Sequence, residues 1–186
     1  MLFFTLYQVA KTYALFESNK NYQISNDIAK WIIDINNSSI PSTNTFTIDK
    51  ITYTESEYII NNKIAPGLCG YFDIQLNSSK SEVSVRYDIS LDTTAIEDTS
   101  ININQVKELN NKELILSAKN TYTGIIKLKD EDKTHTIRVN VCWDNNEDYN
   151  NKDSEIGLKT DGTINLIVNI TLTQYLNEEI PTYVEE

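Results

Sequence analysis

Apolar and polar residues alternate at every second position through residues 163–175, where Ile164, Leu166, Val168, Ile170 and Leu172 share one parity and Asn165, Asn169, Thr171 and Thr173 hold the other. A period of two over that length marks a strand with one buried and one wet face. The pattern recurs at Phe72, Ile74 and Leu76, at Val83, Val85, Tyr87, Ile89 and Leu91, and at Ile137, Val139, Val141 and Trp143. A half-buried strand needs a partner for its apolar face. The chain therefore reads as all-β: an antiparallel β-sandwich, jelly-roll-like, of about nine strands with little helix.

Between the long strands the pattern is weaker but still punctuated. Ala29, Trp31, Ile33 and Ile35 predict a strand that stops at Asn36-Asn37-Ser38-Ser39, and residues 45–51 predict a second, with Phe46 and Ile48 on one face. Ala65-Pro66-Gly67 is a tight-turn signal, proline presetting φ and glycine supplying a conformation other residues avoid. It launches the strand at 70–76, and Asn77-Ser78-Ser79-Lys80 predicts a hairpin back into 83–91. Ile101 with Ile103, then Leu114 with Leu116, predict two shorter strands joined through a polar 107–112, and residues 124–129 predict another.

The chain has 186 residues, 40% of them hydrophobic, enough for one substantial core and short for two. Four segments follow: 1–14, a residual signal peptide; 15–26, an N-terminal arm; 27–176, one β-sandwich domain; and 177–186, an acidic tail expected to fray. The net charge of −11 argues against a nucleic-acid partner or an anionic membrane, both of which attract basic surfaces. Residues 1–10 are nearly all apolar and are followed by Lys11 and Thr12-Tyr13-Ala14, small at the positions a signal peptidase reads. An N-terminal buried strand is the alternative for that segment. No other stretch is long and apolar enough to span a bilayer, so no stable membrane span is expected in the mature form.

Two cysteines allow at most one disulfide and no structural zinc site. Cys142 has the outward parity of Arg138 and Asn140, and Cys69 that of Tyr71, Asp73 and Gln75, so a Cys69–Cys142 bond requires their strands to be neighbours in one sheet. Two isolated thiols are the other possibility. The single histidine, His135, shares the inward parity of Ile137, which separates it from Cys69 and disfavours a thiol–imidazole pair; no His-Glu-x-x-His is present. Asp144, Asn146, Asp148 and Glu155 stand at positions 1, 3, 5 and 12 of a calcium loop, hard oxygen ligands at EF-hand spacing, although Tyr149 occupies the position that requires glycine. A solvated acidic turn is the competing expectation. No enzyme site and no cofactor are predicted, calcium aside.

Thr12-Tyr13-Ala14-Leu15-Phe16 resembles the processing junction of the TasA/camelysin family, exported proteins cleaved by a SipW-type signal peptidase. Ala65-Pro66-Gly67 resembles that family's proline-glycine turn, and the strand closed by Thr173-Gln174-Tyr175 resembles its terminal strand. Ala29-Lys30-Trp31 and Trp143-Asp144-Asn145 look like related small exported members. The resemblance implies a jelly-roll-like fold and a secreted subunit of the biofilm matrix of a Gram-positive-type bacterium, its partner itself or a homologous matrix subunit. It also implies fibre assembly by donor-strand complementation, in which an N-terminal strand completes the sheet of the next subunit. Leu15, Phe16, Tyr22 and Ile24 are the candidate donor anchors. A monomeric cell-surface adhesion module using the acidic loop, with or without calcium, is the alternative. The protease activity implied by the camelysin branch finds no metal or nucleophile site here.

Overall fold

A computed structural model describes residues 29–30, 32–40, 43–48, 51–53, 57–59, 63–110, 112–158 and 166–185. The N-terminal segments 1–14 and 15–26, with Leu15, Phe16, Tyr22 and Ile24, lie outside the described residues. The fold is all-β and antiparallel. Its strands are β1 (Ile33–Ile35), β2 (Ser38–Ile40), β3 (Thr43–Ile48), β4 (Thr52–Tyr53), β5 (Leu68–Asn77), β6 (Val85–Asp92), β7 (Ile101–Glu108), β8 (Ile115–Ala118), β9 (Thr121–Ile126), β10 (Thr134–Trp143) and β11 (Leu166–Gln174). One short helix, α1 (Asn150–Gly157), follows β10.

One sheet runs β2-β1-β5-β10-β7, with β4 also on β5; the second runs β3-β11-β6-β9-β8. Their apolar faces share one core, as in a sandwich. Phe72, Ile74, Leu76, Ile137, Val139 and Val141 from the first sheet meet Val85, Ile89, Leu91, Val168, Ile170 and Leu172 from the second. Each set occupies alternate positions of its strand, so the burial follows directly from the period of two.

The all-β antiparallel fold is the one expected, and three details add to the expectation or depart from it. First, the described residues contain eleven strands, about nine as expected together with very short ones. The extra ones are too short for periodicity to show: β4 has two residues, and β2 returns from β1 through Asn36 and Asn37. Those asparagines have φ of 47° and 68°, the pair of positive values that a two-residue hairpin turn needs and that asparagine tolerates. Second, β5 and β6 lie in different sheets, so residues 78–84 cross the end of the core and do not close a hairpin. Each strand has an apolar face, and crossing lets the two faces meet instead of lying side by side. Third, the tail is not wholly frayed, since the Tyr183 N–H donates to the Leu116 carbonyl on β8 at 2.7 Å.

The Ala65-Pro66-Gly67 turn forms as its chemistry requires. Leu68 N–H closes on the Ala65 carbonyl at 3.1 Å, and Gly67 takes φ 88° at the position where this turn type demands a positive value. Gly67 N–H also donates to the Trp143 carbonyl at 2.6 Å, which sets the start of β5 against the end of β10.

Candidate functional site

An outer strand exposes a row of N–H and C=O groups to whatever strand can reach them. With eight residues, β7 is the longest outer strand in either sheet, and among the described residues it pairs only with β10. The others are shorter: β3 has six residues, β8 four and β2 three, and the carbonyl of Leu116 on β8 is already taken by the tail.

The sequence of β7 hides its length. In Ile-Asn-Ile-Asn-Gln-Val-Lys-Glu the inward residues change parity, Ile101 and Ile103 being odd and Val106 and Glu108 even. The register against β10 explains this: Ile103 faces Val141 and Gln105 faces Asn140, so Asn104 is extra. This β-bulge restores the inward face after the parity break, opposing Val106 to Val139 and Glu108 to Ile137. Glu108, expected in a polar connector, is therefore the last residue of a strand, and its side chain is only 5% exposed.

That carboxylate belongs to a buried polar row. Tyr87 on β6 leans across Gly124 of the neighbouring β9, and its hydroxyl lies 3.0 Å from His135 Nδ1 on the opposite sheet. The two rings meet edge to face with centroids 5.7 Å apart. Glu108 Oε2 accepts the Lys112 N–H at 2.9 Å. Glu108 Oε1 and His135 Nε2 have no hydrogen-bond partner among the described residues. Burial pushes the Tyr87 phenol up, with the Glu108 charge adding to it. It pushes the His135 imidazole down, and the nearby carboxylates only partly oppose this. Inward parity was the one sign of His135 in the sequence; Tyr87 looked like one more apolar residue, and Glu108 gave no signal without the bulge.

The far end of the molecule carries the two other candidate groups. Cys69 and Cys142 are directly opposed on β5 and β10 and are joined by a disulfide, so neither carries a free thiol. Both sit on the outer face of their sheet, but Cys142 is covered to 6% exposure. In the acidic loop Asp144 Oδ2 accepts Asn102 Nδ2 at 2.7 Å, and Asn146 Oδ1 caps the Asp148 N–H at 3.1 Å. From Asn150 the chain is helical through Glu155, and no group of three acidic, histidine or cysteine side chains able to hold a metal occurs among the described residues. Asp144 and Asn146 are thus engaged in separate local bonds, and Asp148 and Glu155 are not gathered with them, because the helix takes up the part of the loop that would have to curl around an ion. The acidic residue that turns inward is one the spacing did not single out: Asp153, 7% exposed, accepts the Ser100 hydroxyl at 2.6 Å.

The outer face of the first sheet is polar and internally compensated. Arg138 forks onto Asp73 through two bonds of 2.8 Å and lies 3.6 Å above the Tyr71 ring. No family model, no curated protein and no solved structure matches the chain. Among the described residues, no helix is long and apolar enough to cross a membrane.

Proposed function

We propose that the chain is a secreted structural subunit of an extracellular matrix, without catalytic activity, which joins a second copy or a homologous subunit when residues 15–26 add as a strand to an open sheet edge. The observation that carries this is β7: eight residues at the outside of its sheet with a strand on one side alone among the described residues. At about 3.3 Å per residue, β7 offers roughly 26 Å of edge and a twelve-residue arm spans roughly 40 Å, so the arm covers β7 with residues to spare for its connection. The bulge at Asn104 breaks the regular spacing of that edge. It disfavours indiscriminate pairing and selects a strand that matches the interruption.

The Cys69–Cys142 disulfide supports export, since such bonds persist in oxidising compartments. The jelly-roll-like connectivity, processing by a SipW-type peptidase and a place in the TasA/camelysin family are parts of the same proposal, resting on the short motifs at 12–16, 65–67 and 173–175.

The test compares protein beginning at Leu15 with protein beginning at Asp27, by size-exclusion chromatography and electron microscopy. The longer form should give fibres, and the shorter should remain monomeric with its melting temperature within a few degrees. Fibres from the shorter form would remove the arm as donor. A collapsed melting temperature would make it a strand of its own domain.

A further inference from the structure

The end of the core that holds Tyr87, His135 and Glu108 is closed by three crossing segments, residues 78–84, the one leaving β7 and the one joining β9 to β10, of which the last two carry the charged groups nearest His135. Asn110 Nδ2 reaches Asp132 Oδ2 at 2.6 Å and the Thr134 carbonyl at 3.1 Å, and Lys112 Nζ stands 3.5 Å from Asp130 Oδ2. The Ser78 N–H adds a bond to the Lys133 carbonyl at 3.0 Å. These are mainly exposed polar contacts, whereas the strands beneath are held by ladders over an apolar core.

We propose that this end of the sandwich is an acid-operated latch, in which a proton taken up at His135 loosens the segment leaving β7 and the one before β10. Neutral His135 needs one good partner and has it in Tyr87, at the cost of an idle Nε2. The imidazolium has an N–H at both positions and a full charge, yet its Nε2 has no acceptor within bonding distance and the side chain is 1% exposed. Such a cation needs water or a paired carboxylate. The groups around it are Tyr87 from β6, Glu108 from β7, Lys112 from the segment that follows, and Asp130 and Asp132 from the turn before β10. The three carboxylates favour the proton, Lys112 opposes it, and burial outweighs them. Opening the segments that leave β7 and precede β10 breaks Asn110–Asp132, Asn110–Thr134 and Lys112–Asp130, the Lys112 N–H bond to Glu108, the Leu128 N–H bond to the Ser84 hydroxyl, a few backbone contacts and the partial packing of Leu114, and it exposes both Nε2 and the idle Glu108 Oε1. Separating the ten-residue ladder between β5 and β10 would cost far more. The latch belongs to the single domain and needs no assembly.

Because the chain has one histidine, its ring resonances are unambiguous. The experiment follows them by NMR in the full chain from pH 7.5 to 4.5, together with amide hydrogen exchange corrected for its intrinsic pH dependence. The folded-state midpoint should fall below the ordinary 6.5. Between those two values, exchange at Leu109, Asn110, Lys112 and residues 127–133 should speed by up to about tenfold per pH unit and then level off, while Ile89 and Val139 stay protected. A midpoint at or above 6.5, or exchange that is flat or slower on protonation as Glu108 closes onto the ring, overturns the latch. His135→Asn keeps a polar partner for Tyr87 and cannot charge, so its crossing segments should stay closed across the range. The same acceleration in that variant would assign the effect to the carboxylates and also overturn the proposal. Should the variant not fold, the titration of the parent decides alone.

Discussion

Gly124→Ala adds one methyl group and should destabilise the domain out of proportion to its size. Gly124 is directly opposite Tyr87 in the β6–β9 ladder. A Cβ at Gly124 would overlap Cζ and Oη of Tyr87 and stand 2.7 Å from its Cε2. The phenol has 0% exposure, and its hydroxyl is committed to His135. The ring is rigid and enclosed, so it cannot yield as the end of a flexible chain would. Alanine in a strand normally gains about 0.5–1 kcal/mol over glycine. Against this stand about 1–3 kcal/mol for overpacking and, if the ring swings away, another ~1–3 kcal/mol for each polar group left buried without its partner.

The loss of the Tyr87–His135 bond decides the sign, and the expected net cost is about 3 kcal/mol. For a chain of this size that lowers the melting temperature by roughly 6–12 °C. Thermal melts followed by near-ultraviolet circular dichroism measure it, and the His135 ring resonance should shift in step. A double-mutant cycle isolates the contact: in a Tyr87→Leu background the same Gly124→Ala change should be neutral or stabilising by up to about 1 kcal/mol. An unchanged or raised melting temperature in the parent background would refute the reasoning.

Two further changes test the core and its covalent tie. Val168, fully buried between Phe46 and Leu91 in the β11 ladders, tolerates no charge: keeping an aspartate neutral there at pH 7 costs about 4 kcal/mol and the lost apolar burial about 1.5–3 kcal/mol, so Val168→Asp should leave the domain unfolded or close to it. Asn169→Asp, which retains the oxygen that accepts the Thr45 hydroxyl at 2.7 Å, should be nearly silent, and an unchanged melting temperature for Val168→Asp would mean that the faces are inverted. Replacing Cys69 and Cys142 together by alanine opens a 73-residue closure and should cost about 2–4 kcal/mol in denaturant titration, and an unchanged stability would mean that the bond does not form in the purified protein.

How far the fold could be read from the sequence depended on whether each signal was local. The alternation in β5, β6, β10 and β11 is local, and the core built from Ile74, Ile89, Val139 and Val168 is the one it predicts. The turn at Ala65-Pro66-Gly67 is local too. What escaped depends on which strands meet. Parity puts Cys69 and Cys142 on outward faces, but only the register of β5 against β10 brings them together. Residues 78–84 look like a hairpin because nothing in six polar residues and Val83 distinguishes turning back from crossing to the other sheet. The acidic loop shows ligand spacing, yet the helix over Asn150–Gly157 and the burial of Asp153 under Ser100 arise from contacts 53 residues apart. In β7 the parity break between Ile103 and Val106 is visible in the sequence, and only a bulge reconciles it with one continuous strand.

That bulged strand illustrates how an edge can be both open and firm. With a ladder on one side only, β7 should fray, and a frayed edge is a poor template because an incoming strand must then order two chains at once. Its ends are pinned by other means. Just before it, Ser100 donates to the buried Asp153 of α1 and accepts the Asp144 N–H at 2.9 Å. At its far end Glu108 turns into the core, accepting the Lys112 N–H, and the Leu109 N–H donates to the Thr136 carbonyl at 2.8 Å. Among the described residues the missing second ladder is thus offset by polar contacts at both termini, and no second strand covers the outer backbone groups. An edge held in this way loses little conformational freedom on pairing, so under the proposed strand addition most of the ordering cost would fall on the incoming strand.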